Sequence, residues 1–181
     1  MSTILVLSGS PSATSKTAAL AGHLAGRLRA DGHTVEEVRV RELPPAELLA
    51  ADTSDPRIAE VIAALADADG VVVASPVYKA AYSGLLKALL DLLPQFALAG
   101  KVVLPVLTGG TPAHVLALDY ALRPVLSSLG ADHVVPGWFV LDKHIALGPE
   151  VTVEEASATQ LHQVTDVFSS AVTARLSLVA T

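Results

Sequence analysis

Gly70-Val71-Val72-Val73-Ala74 carries no polar side chain. Beyond Ser75-Pro76-Val77-Tyr78-Lys79-Ala80-Ala81-Tyr82-Ser83-Gly84 comes an apolar run at helical spacing, Leu85, Leu86, Ala88, Leu89, Leu90 and Leu92. A short strand that is apolar throughout has both faces covered, as parallel strands inside α/β folds do. The unit therefore reads as buried strand, exposed turn, helix, and it recurs along the chain. Ile4-Leu5-Val6-Leu7 precedes a helical pattern from Ala18 to Leu28, and Lys101-Val102-Val103-Leu104-Pro105-Val106-Leu107 precedes one from about His114 to Leu129. Thr34–Val40 supplies a second strand, and Val134-Val135 with Trp138-Phe139-Val140 a fifth, broken at Pro136-Gly137. Five alternations of strand and helix predict an α/β fold, a doubly wound five-stranded parallel sheet with helices on both faces. The expected strand order is 2-1-3-4-5, with a crevice beside strands one and three. Residues 8–17, 75–84 and 108–114 then share one rim.

The boundaries follow from capping chemistry. Ser15 is placed to cap the first helix and Gly32 to stop it, and Asp55-Pro56 opens a helix to about Asp67. One helical turn is expected between Leu43 and Thr53, Pro94 is expected to end the helix after the central turn, and residues 152–178 read as a closing helix. The 181 residues fit a single domain, 1–181, with 51% hydrophobic and 17% charged residues to build its core and surface. A net charge of −6 argues against nucleic acid as the main partner. The absence of cysteine excludes thiolate chemistry and disulfides. Neither a basic leader nor a run long enough for a membrane span is present, so the expectation is a soluble, cytoplasmic protein with no membrane partner. A mean hydropathy of +0.52 suggests apolar surface buried between subunits, although a fully covered parallel sheet also raises it.

Loop 8–17 carries six hydroxyls and Lys16 between a strand and a helix N-terminus, a setting that suits phosphate. It has only Gly9 where a dinucleotide fingerprint needs three glycines, and it lacks the spacing of a Walker A loop. A terminal phosphate monoester fits best; a plain Ser-rich capping loop is the alternative. In the third loop Gly109-Gly110 admits close approach and offers backbone donors for the polar edge of a flat heterocycle, though a simple turn also favours glycine. Tyr78 and Tyr82 are two of three tyrosines in the chain, and either they flank a planar ligand or they cover the sheet edge. Together a phosphate end, flat surfaces and this sheet order point to FMN. The six histidines show no metal-ligand spacing, no metal is expected, and only His114 follows a candidate loop. No nucleophile elbow or paired carboxylates suggest hydrolysis. Pro124 cannot donate to the Tyr120 carbonyl, so the helix there is expected to kink or to carry a π-type bulge.

These residues resemble the NADPH-dependent FMN reductases of the flavodoxin-like superfamily, most of all the reductase component of bacterial two-component alkanesulfonate monooxygenase systems. The likeness rests on Gly9-Ser10-Pro11 with Ser15, on Ser75 to Gly84 with Leu86-Lys87, and on Gly100 to Pro105 through Thr108-Gly109-Gly110, His114 and Asp119-Tyr120-Ala121-Leu122; it fades beyond about Gly130. The resemblance implies that NADPH, or NADH, reduces FMN, which then passes to a separate FMNH2-dependent monooxygenase. It also implies a homo-oligomer, dimer or tetramer. By the same likeness Ser10, Ser15, Lys16 and Thr17 hold the FMN phosphate, Pro76, Val77 and Tyr78 border the ring, Thr108, Gly109 and Gly110 lie at its polar edge, and His114 belongs to the cofactor-binding set. Gly109 and Gly110 would stabilise the growing negative charge, and Tyr120, at a subunit interface, would gate flavin exchange or stack on the flavin. The loop departs from the family in having Ser12 and Lys16 where arginine is usual, which points to looser flavin binding. A same-fold quinone or azo reductase with tightly held FMN and a non-enzymatic flavin-binding module are the other readings.

Overall fold

A computed structural model describes residues 2–179. Its strands are β1 (Thr3–Ser8), β2 (Thr34–Arg39), β3 (Gly70–Tyr78), β4 (Ala81–Tyr82), β5 (Val102–Gly109), β6 (His133–Val134), β7 (Trp138–Leu141), β8 (Ile145–Ala146) and β9 (Thr152–Val153). Its helices are α1 (Lys16–Ala30), α2 (Pro45–Leu49), α3 (Pro56–Asp67), α4 (Gly84–Leu90), α5 (Arg123–Ser128) and α6 (Glu155–Val179). The main sheet runs β2-β1-β3-β5-β6, with β7 continuing beside β5. All of these pairings are parallel. With β6 and β7 counted as one interrupted strand, this is the 2-1-3-4-5 order of the flavodoxin-like fold.

Side-chain alternation divides the core between the two faces of the sheet. Leu5, Leu7, Val71, Val73, Val103 and Leu107 pack with α3, α4 and α5 on one side. Ile4, Val6, Val72, Leu104 and Val106 pack on the other with Leu20, Leu24 and Leu28 of α1 and Leu161, Phe168 and Val172 of α6. Burial on both faces is what the unbroken apolar runs required.

Two prolines fix where strands can pair. The amide of Gly9 donates to Ala74 at 2.8 Å, so Ala74 points toward β1; two residues on, Pro76 points the same way, past the end of β1. No ladder bond is lost, and β3 runs through buried Ser75, Pro76 and Val77 to Tyr78, where an exposed turn was expected. The turn itself is only Lys79-Ala80, which returns the chain into β4. Both residues are left-handed, at φ +51° and +63°. Neither is glycine, and each such residue costs about 1–2 kcal/mol. Pro105 has no N–H to give, and beside it the fifth strand leaves the ladder at Pro136-Gly137, where a Cβ on Gly137 would lie 2.2 Å from the Pro105 carbonyl.

The caps match expectation at Ser15, whose Oγ accepts from the Ala18 amide, and at Asp55, whose carboxylate accepts from Arg57 and Ile58. Gly32 follows the last capped residue at φ +91°. Other boundaries differ. α4 ends at Leu90, tight turns carrying the chain on to Pro94; Thr152-Val153 pairs with β8, so the closing helix begins at Glu155. The single helix expected over 114–129 is a 3-10 turn at Pro112–His114, a π turn at Leu118–Leu122 and then α5. Pro124 lies two residues past the π turn, as its missing donor requires. Among the described residues no helix is long and apolar enough to cross a membrane.

α1 and α6 are joined by His23 and His162, whose Nε2 atoms lie 3.1 Å apart, one donating and the other accepting. Burial, then His162 and Arg27, hold His23 below its ordinary value of 6.5. The unfolded chain therefore takes up this proton before the folded one does. The associated stability is complete above 6.5 and is lost as pH falls toward the folded value. Thermal midpoints are expected to drop between about pH 7 and pH 5, and less steeply in His23→Gln.

Candidate active site

The carboxyl ends of β1, β3 and β5 converge on a cleft of about 210 Å³ lined by Ser10, Ser12, Thr14, Ser15, Lys16, Thr17, Pro76, Val77, Tyr78, Thr108, Gly109 and Asp142. One buried junction ties the first loop to the end of β3 and the start of α4. Ser75 Oγ accepts from the Ser83 amide at 2.9 Å, and Ser83 Oγ donates to the Gly9 carbonyl at 2.5 Å while accepting from Leu86 at 3.1 Å. One hydroxyl thus caps α4 and ties it to the first loop. Gly9 has to be glycine, because a Cβ there would meet Leu86 Cβ at 2.5 Å.

Hydroxyls gather at one end of the cleft. Ser15 caps α1 and lies buried beside the first-turn amides, which have no partners within the helix. Ser12 donates its amide to Ser10 Oγ at 3.4 Å. Hydroxyls, amides and the positive end of α1 form a donor set that fits a phosphate. Three of the expected ligands are already engaged. Thr17 Oγ1 and Thr108 Oγ1 share a buried hydrogen bond at 2.6 Å, fastening α1 to β5, and Lys16 Nζ donates to the Asp142 carbonyl at 2.5 Å. Those two hydroxyls therefore hold the cleft together.

Pro76, Val77 and Tyr78 wall the other end. Tyr78 is 49% exposed, whereas Tyr82, paired with Val77, turns onto the α3–α5 side of the core. Burial raises the Tyr82 phenol above its usual range despite the nearby Lys87 ammonium, so it is neutral at physiological pH. Gly109 and Gly110 differ in kind. A Cβ on Gly109 would meet the Phe139 ring at 2.9 Å, so packing demands glycine there; around Gly110 nothing lies within 4 Å. Gly110, His114 and Tyr120 stand outside the cleft lining. His114 keeps a buried Nδ1 without a partner, and Tyr120 is 78% exposed on the π turn. β4 lies against that turn, which puts Tyr120 on the same side as the hairpin.

The sequence reading missed Thr14, Asp142 and Arg41. Thr14 could have been taken from the loop's composition. Asp142 reaches the rim from the connection after β7, and Arg41 Nε donates to the Pro11 carbonyl at 3.2 Å from the turn after β2. Neither carries a local signal.

Residues 2–146 match the family model described as NADPH-dependent FMN reductase. The chain belongs to that family. It is 46% identical over 142 residues to the FMN reductase (NADPH) of Escherichia coli K12, spanning 78% of this chain and 74% of the relative. The corresponding Pseudomonas putida enzyme is 40% identical over 175 residues, covering 95% and 89% of the two chains. The likeness therefore continues well past Gly130. A solved NADH:FMN oxidoreductase in its apo form superposes with a TM-score of 0.89 at 46% identity, over 94% of this chain and 90% of that one. The protein is thus an oxidoreductase that reduces FMN with NAD(P)H, on a flavodoxin-like fold.

Thr17→Val leaves the Thr108 hydroxyl buried without its partner. Stability is expected to fall by about 1–2 kcal/mol in denaturant titrations, with FMN affinity changed less than about threefold.

Proposed function

We propose that this reductase treats FMN as an exchangeable substrate, taking up the oxidised flavin and releasing the reduced form to a partner monooxygenase. The observation that carries this reading is the lopsided cleft, with its hydrogen-bonding groups at the end formed by loop 10–17 and an apolar wall at the other. Such a site grips a phosphate and leaves a flat ring lightly held. The assignment of the partner to alkanesulfonate desulfonation rests on the sequence resemblance, and the cytoplasm is its compartment as the source of reduced nicotinamide dinucleotides.

FMN supplies the ring that accepts the hydride from nicotinamide C4. The chain's work is to bind and orient. The first turn of α1 with Ser10, Ser12 and Ser15 takes the phosphate, and Pro76, Val77 and Tyr78 border the ring. The open backbone at Gly110 offers its N–H to the edge where negative charge grows. Thr108 acts at one remove, through its bond to Thr17. Among the loop lysines, Lys87 pairs with Asp91 at 2.6 Å and Lys16 is held by Asp142. Lys79, at the tip of the strained hairpin, has no ion-pair partner among the described residues, and it meets the phosphates of the incoming dinucleotide.

Val115, Leu116 and Tyr120 expose apolar surface around the π turn, with Leu116 60% accessible. We assign this face to contact between copies of the chain, with Tyr120 at its centre gating flavin exchange.

The test is NADPH and NADH oxidation by flavin-stripped protein with and without added FMN. Oxidation that saturates with FMN, with flavin lost on desalting, supports an exchanging reductase. Turnover without added FMN and with flavin retained overturns exchange. Tyr120→Ala is expected to speed FMN release and to lower the sedimenting mass; an unchanged release rate and mass would sink the role given to Tyr120.

A further inference from the structure

We propose that Arg41 is the second cation of the phosphate end and recognises the dianionic monoester of FMN, so that it selects FMN over flavins without a terminal phosphate. The inference rests on the reductase reading above and names a contact in that same site.

Arg41 follows β2 in the 3-10 turn Val40–Glu42. Its Nε donates to the carbonyl of Pro11 at 3.2 Å, between Ser10 and Ser12, both of which line the cleft. That bond uses one of the guanidinium's five N–H donors and sets the group against the phosphate loop with the rest unspent. The neighbouring arginines are otherwise occupied, Arg29 with Glu37 at 2.9 Å and Arg39 with Glu42 at 3.7 Å. Arg41 has no ion-pair partner among the described residues.

Charge balance favours a second cation beside that donor set. A phosphate monoester carries about −1.5 to −2 at neutral pH. Lys16 is the only basic residue of the loop, its ammonium rests on the Asp142 carbonyl, and Asp142 itself lines the cleft. One ammonium, already resting on a backbone carbonyl, brings at most a single positive charge to a dianion. A guanidinium brought in from the turn after β2 supplies a second positive charge, and its planar fork matches a pair of phosphate oxygens in a way an ammonium cannot.

The experiment compares FMN with riboflavin, which has the same ring and no phosphate, in wild type and Arg41→Gln at several salt concentrations. Arg41→Gln is expected to weaken FMN about tenfold, to leave riboflavin unchanged, and to flatten the dependence of FMN affinity on salt, with Arg41→Lys in between. A role confined to ordering the loop through Pro11 would weaken FMN at an unaltered salt slope, and that result overturns the proposal. So does equal loss of FMN and riboflavin, or no loss of either. Wild type that oxidises NAD(P)H with FMN beside an unaffected variant would remove Arg41 and leave the reductase standing. Wild type that binds FMN no better than riboflavin would remove the phosphate site and this proposal together.

Discussion

The crevice exists because β1 stops at Ser8 while β3 continues to Tyr78, and one serine keeps that difference from closing. Ser83 donates to the Gly9 carbonyl, accepts from Leu86 and gives its own amide to Ser75. Those bonds hold the first loop, the far end of β3 and the start of α4 at fixed separation. All of these groups are buried, so each lost partner would leave a desolvated polar atom. Loop 10–17 keeps its shape on this junction, and Gly9 is what lets α4 come close enough to form it.

A second fastening runs across the floor. Thr17 and Thr108 join the first helix to β5, and Lys16 reaches over to the connection after β7. The side chains nearest the phosphate end thus divide into those that shape the loop and those left to bind. Rigid placement of a few donors is what such a site needs, since binding and orienting are the protein's share of hydride transfer.

The order of the sheet was legible because strands buried on both faces must be apolar throughout, and Val71-Val72-Val73 announces that without help from neighbours. The π turn was legible for a similarly local reason: Pro124 removes one donor, and the register near Tyr120 has to adjust. Pro76 misled for the opposite cause. Its tolerance inside β3 depends on β1 having ended, a fact about another strand. The same distance hid Asp142 and Arg41, which approach the rim from segments more than a hundred and about thirty residues along from their partners Lys16 and Pro11. Tyr82 shows the limit of composition, for only its pairing with Val77 decides that it faces the core and not the ligand.

Pro76 has one more consequence. Its missing N–H takes a backbone donor from the wall against which a flavin ring would lie, and the side chains beside it, Val77 and the Tyr78 ring, are mostly apolar. On the proposed reading, a flavin in this cleft is moored by its tail. Its dwell time is set at the far end, by contacts that inorganic phosphate and ordinary salt can compete for. The ionic composition of the surrounding solution then acts as a throttle on how fast one flavin makes way for the next.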